Sequence, residues 1–75
     1  MEKKDFLHIS EVLIQERKMK GNSQEELAQY CNVSKSSVSK WETGRSRPNI
    51  YQFPKIADFY NITIQKLLTG KEKDE

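Results

Sequence analysis

One cysteine and one histidine are all the chain has of either residue. A lone cysteine excludes an internal disulfide, and with no Cys/His cluster there is no ligand set for a metal. Only two prolines and three glycines break the chain. No apolar run reaches the length of a secretory core or a membrane span, which makes a cytoplasmic protein the expectation. No alternating strand pattern and no internal repeat is present. A phosphate-binding glycine loop, paired catalytic carboxylates and a nucleophile–base arrangement are likewise missing. His8 has no partner motif and reads as a surface residue. The expectation is a chain with no catalytic residues, no metal, no cofactor and no small-molecule site, and so not an enzyme.

What remains is short and polar. Seventy-five residues make one domain near the lower limit for a self-sufficient core, and 35% hydrophobic against 32% charged is globular rather than disordered. The net charge of +2 says little, but its distribution says more. Between positions 34 and 55, Lys35, Lys40, Arg45, Arg47 and Lys55 stand against one acid, Glu42, which makes that segment +4 and leaves −2 for the rest. A basic stripe on a nearly neutral domain is the footprint of a phosphate-binding surface.

The segment 23–44, SQEELAQYCNVSKSSVSKWETG, reads as two short helices with a tight bend. Ser23 and Glu26 form a capping box that starts a helix at Gln24, with Leu27, Ala28 and Cys31 on its inner face. Asn32 tolerates the left-handed conformation of the bend, and Val33 plugs the corner. Ser34 caps a second helix that carries Val38 and Trp41 inward and stops at Gly44. Gln24, Glu26-Leu27-Ala28, Val33-Ser34, Val38-Ser39-Lys40-Trp41-Glu42, Gly44 and Pro48 together resemble the phage repressor/Cro-type (XRE) helix-turn-helix family. The resemblance runs over roughly residues 9 to 69. It implies an all-α, compact five-helix bundle that binds double-stranded DNA as a transcriptional regulator, most simply a repressor.

The flanking segments fit that order. Residues 1–5 read as a flexible start, 6–70 as the domain and 71–75 as a charged tail or the opening of a linker. Asp5 can cap a first helix over 6–20, with Phe6, Ile9, Leu13 and also Val12 and Arg17 inward, and Gly21 as its stop. Glu16 and Asn22 stand where family members usually carry leucine, and Ile14 is an apolar residue without an assigned partner. After the polar connector Arg45-Ser46-Arg47-Pro48-Asn49, Asn49 caps a fourth helix whose apolar face is Ile50, Phe53, Ile56, Ala57 and Tyr60. Pro54 would be its fifth residue, unable to donate back to Ile50, so the first turn should be loose or the helix should begin later. Thr63 caps a fifth helix over 64–69, ended by Gly70. Cys31, on an inner face, reads as a small hydrophobe rather than a redox sensor.

The family resemblance also implies site roles. The recognition helix, 34–43, enters the major groove, with Lys35, Ser36, Ser39 and Lys40 facing bases. Lysine donates to guanine acceptors and serine donates or accepts indiscriminately, so each contact carries modest discrimination. Gln24 matches a backbone-binding position, and Ser34, Ser37, Thr43, Arg45 and Arg47 are the other phosphate candidates. About four to six neutralised phosphates correspond to a slope of log K against log salt near −4 to −5. Arg17 and Glu42 match a structural ion pair. One domain covers a half-site, which makes a homodimer through helices 4 and 5 the expected assembly, with Phe59 as the exposed aromatic beside Tyr60. The alternative is a protein-interaction module or antitoxin on the same fold. The clustered cations argue against the former.

Overall fold

Each helix starts and stops where local side-chain chemistry satisfies its end groups. The computed structural model describes residues 8–71, and its elements are α1 (Ile9–Lys20), α2 (Gln24–Cys31), α3 (Lys35–Thr43), α4 (Phe53–Tyr60) and α5 (Ile64–Thr69). Among the described residues there is no strand. Ser23 Oγ accepts the Glu26 N–H at 3.1 Å while Glu26 Oε1 accepts the Ser23 N–H at 2.8 Å, closing the capping box of α2. Ser34 and Thr63 cap α3 and α5 from one side only, each accepting through its hydroxyl oxygen. The three glycines and two asparagines, Asn32 and Asn61, are the C-caps, all in the left-handed conformation. At Asn32, φ is 61°, an angle that asparagine adopts more readily than most residues with a Cβ.

Two helix starts differ from expectation. Helix α1 begins at Ile9, with His8 as its N-cap and no side-chain cap bond, rather than at 6. The expected cap Asp5 and inward Phe6 lie outside the described residues, as do the start 1–5 and positions 72–75 of the tail. Helix α4 begins at Phe53 rather than at Ile50. Asn49 Oδ1 accepts the N–H groups of Tyr51 at 2.9 Å and Gln52 at 3.2 Å, which turns the chain before the helix. The Ile50 carbonyl that Pro54 cannot reach accepts the Phe53 N–H at 3.3 Å instead. Pro54 thereby falls in the first turn, where a missing N–H costs nothing. Ile50 is consequently 68% exposed and leaves the apolar face assigned to it.

Every helix contributes to one core. Ile9, Val12 and Leu13 come from α1, Leu27, Ala28 and Cys31 from α2, Val38 and Trp41 from α3, Ile56 and Tyr60 from α4, and Leu67 from α5. Helix α3 packs against α1 and α2, α4 against α2 and α5, and α5 returns to α1. That return is fixed by the His8 N–H, which donates to the Leu68 carbonyl at 2.7 Å. Leu13, Leu27 and Leu67 are fully buried, and each contributes about 1.5–3 kcal/mol by leaving water. Phe59 is half-buried against this core rather than off it, 4.9 Å from the Tyr60 ring and 5.3 Å from Tyr30. Ile14 is half-buried. No helix among the described residues is long and apolar enough to cross a membrane.

Candidate nucleic-acid interface

The bend between α2 and α3 is fixed from inside. The Val33 N–H donates to the Ala28 carbonyl at 2.9 Å, and Val33 itself packs against the core. From there α3 turns Val38, Trp41 and Glu42 inward. Positions 35, 36, 39, 40 and 43 are left on the opposite side, since residues three, four and eight apart share one helical stripe. Lys35, Ser36, Lys40 and Thr43 are exposed, and Ser39 is half-buried. Neither Lys35 nor Lys40 meets an acid among the described residues, which leaves both charges available to an anion.

The acid inside the basic segment is withdrawn from that surface. Glu42 is 5% exposed, and both its oxygens are engaged. Arg17 Nε donates to Oε2 at 2.8 Å, and Arg17 Nη2 donates to Oε1 at 3.0 Å. This side-on, two-bond pairing is the strong form of an arginine–carboxylate contact. The hydrogen bond to Glu42 raises the Arg17 guanidinium above its ordinary range, against a smaller opposing effect of desolvation. With Glu42 neutralised and buried, the outward charge of α3 and the following connector is wholly positive.

The phosphate candidates fall into three groups. Arg45 and Arg47 are exposed on the connector after Gly44. Ser34 and Ser37 face one another, Oγ to Oγ at 3.1 Å, while Thr43 Oγ1 donates to the Lys40 carbonyl at 3.2 Å. Their hydroxyls therefore serve the helix first and can only add a bond to a phosphate. Gln24 is half-buried at the N-terminus of α2, where its Nε2 donates to Glu42 Oε1 at 3.0 Å. That third donor to Glu42 was not foreseen, because nothing in the local sequence relates positions 24 and 42.

A second polar cluster also escaped the sequence reading. Glu16 is 3% exposed, and Lys20 Nζ donates to its Oε1 at 3.3 Å and to the Tyr60 carbonyl at 2.8 Å. Asn22 Nδ2 donates to the Tyr60 hydroxyl at 3.2 Å. The available signal was the four-residue spacing of Glu16 and Lys20, which looks the same on a solvated helix. Cys31 is fully buried, and burial pushes its thiol up, outweighing the opposite pull of Lys55. A thiol held protonated in an apolar setting is unreactive. Among the described residues no group of three or more metal-ligating side chains converges.

A five-helix domain that projects the second helix of a bent pair from a cationic face has the architecture of repressor-type DNA-binding domains. The helix-turn-helix family profile matches residues 13–67, and the chain belongs to that family, whose members are DNA-binding transcription regulators. It is 39% identical over 66 residues to the HTH-type transcriptional activator BcrR of Enterococcus faecalis, covering 88% of this chain and 32% of that protein. It thus spans about a third of that relative's length. The N-terminal DNA-binding domain of SinR from Bacillus subtilis superimposes with a TM-score of 0.72 at 32% identity, covering 89% of this chain and 96% of that one. The P22 c2 repressor, solved with a synthetic operator, superimposes with a TM-score of 0.79 at 24% identity, covering 84% and 96%. That last likeness is one of fold.

Proposed function

We propose that the chain binds duplex DNA sequence-specifically with α3 in the major groove. The observation that carries this reading is the division of α3 into two faces. Val38, Trp41 and Glu42 are buried, while Lys35, Ser36 and Lys40 are exposed, with no acid among the described residues facing the two lysines. Lys35 and Ser36, at the leading end, meet bases first, and Ser39 and Lys40 follow one turn along. Arg45, Arg47 and Gln24 hold the phosphates on either side, with Ser34, Ser37 and Thr43 adding hydroxyl contacts. Bound at a promoter, such a domain represses by excluding other proteins. Activation would need a further contact surface. The working unit is a homodimer through α4 and α5, non-enzymatic and without a cofactor, reading two half-sites about one helical turn apart.

The test is binding of the purified chain to random duplex across a salt series, beside Lys35→Ala/Lys40→Ala. The expected slope of log K against log salt is about −4 to −5, reduced by about 2 in the variant. A folded chain that shows no salt-dependent binding even at low salt overturns the reading. It would favour the protein-interaction alternative.

A further inference from the structure

Glu42 has more partners than an ion pair needs. Its Oε1 accepts from Arg17 Nη2 at 3.0 Å and from Gln24 Nε2 at 3.0 Å, while Oε2 accepts from Arg17 Nε at 2.8 Å. One side chain at the end of α3 therefore joins α1 to the first residue of α2. We infer that Glu42 is a positioning residue for DNA binding: it fixes the Gln24 carboxamide so that the spare N–H of Nε2 is presented to a phosphate at the start of α2. The inference rests on the DNA-binding reading above.

The chemistry permits one orientation. An amide turned the other way would set its oxygen against the Glu42 carboxylate, an acceptor facing an acceptor, so Nε2 must lie on the carboxylate side. Nε2 carries two hydrogens, and Glu42 takes one. The other has no partner among the described residues, and Gln24 is only half-buried, so solvent or a ligand oxygen can reach it. An untethered glutamine would have to turn its nitrogen toward the phosphate and lose rotamer freedom on binding.

Electrostatics explains why Arg17 belongs to the same device. A bare carboxylate 3.0 Å behind Gln24 would repel an approaching phosphate. The two-bond Arg17 contact cancels that charge while leaving Oε1 able to accept from Gln24. Arg17 is thus kept from DNA by its pairing, yet it allows DNA to come near.

A double-mutant cycle on DNA affinity tests this. Removing Glu42 or Arg17 alone risks unfolding, so the pair is replaced together by Arg17→Met/Glu42→Leu, which supplies apolar volume in place of two charges. Duplex affinity is measured for the parent, Gln24→Ala, the pair replacement and the triple variant, each shown to be folded by circular dichroism. Gln24→Ala is expected to weaken binding about tenfold in the parent, the size of one hydrogen bond to a charged group. It should change affinity less than twofold once the pair is gone, with the salt slope unchanged throughout, because no phosphate-neutralising cation is removed. An equal tenfold loss in both backgrounds overturns the positioning role and leaves the DNA-binding reading standing. A pair replacement that unfolds is itself replaced by Arg17→Gln/Glu42→Met, which likewise removes both charges and the acceptor facing Gln24; the same loss of coupling is expected and the same equality is fatal. A folded parent that binds no duplex overturns both.

Discussion

Glu42 and Glu16 are both buried carboxylates, at 5% and 3% exposure, yet they are held on very different terms. Glu42 receives three N–H donors, two of them from a rigid guanidinium whose side chain is itself 30% exposed. Glu16 receives one, from Lys20 at 3.3 Å, and that ammonium is 44% exposed and shared with the Tyr60 carbonyl. Desolvating a carboxylate costs several kcal/mol. Three short charge-assisted bonds can offset that cost, whereas one long bond to a flexible lysine offsets little. The end of α3 is therefore locked by its glutamate, and the C-terminal half of α1 tolerates its own.

The sharpest way to break this comparison is to remove one partner from each site. Arg17→Ala leaves a buried charge with a single neutral donor, and is expected to cost about 3–5 kcal/mol in urea unfolding. A domain of this size is near the lower limit of stability, so the variant should be largely unfolded at 37 °C. Arg17→Met/Glu42→Leu should recover most of the loss. Strict additivity of the two single losses in the double variant would show that the pair is not acting as a pair.

Replacing the other glutamate should have the opposite sign. In Glu16→Leu the buried carboxylate disappears, Lys20 keeps its bond to the Tyr60 carbonyl, and an apolar side chain enters a buried site. We expect a gain of about 1 kcal/mol, which raises Tm by about 4–8 °C in a domain this small. A lower Tm by calorimetry would mean that the Glu16–Lys20 contact is worth more than its geometry suggests. DNA binding should be unaffected, since among the described residues the Glu16 side chain bonds to Lys20 of its own helix and to nothing on α2 or α3.

The same contrast explains how far the sequence could be read. Ser23, Ser34, Thr63, Asn32 and Gly44 act on backbone groups within four residues of themselves, so their roles follow from spacing alone. The faces of α2 and α3 follow from helical periodicity, and with them the outward set Lys35, Ser36 and Lys40. The start of α4 did not follow. Asn49 was read as a helix cap, but its side chain instead closes a turn ahead of the helix, and the choice between the two depends on where Pro54 must fall. Phe59 was misjudged for a different reason: it packs against the core and against Tyr30 of α2, and no local pattern encodes which helix arrives there. Glu16 and Asn22 were placed at positions where leucine is usual, but their bonds with Lys20 and the Tyr60 hydroxyl depend on the same tertiary contacts. Gln24 belongs with them, because its bond to Glu42 exists only once α2 and α3 are bent together.

The smallest expected effect concerns two buried acids that lie outside both clusters' charge pairing. Burial pushes the Cys31 thiol up from its ordinary 9.0 and the Tyr60 hydroxyl up from 10.0, the latter against a lowering hydrogen bond from Asn22. A raised value means that the folded chain holds the proton more tightly than the unfolded one. The associated stability is complete below the unfolded value and is lost as pH rises through the folded value. Thermal stability should therefore be flat from neutral pH to about 8.5 and fall by a few degrees above it, as the unfolded thiol ionises first. Cys31→Val keeps an apolar side chain of similar size without a titrating group, so its decline should begin about one pH unit later, where tyrosine takes over. An unchanged onset in Cys31→Val would show that the thiol does not drive the alkaline loss and would shift the account to Tyr60. Affinity for DNA at neutral pH should be the same in both proteins, because Cys31 lies on the inner face of α2, away from the exposed stripe of α3.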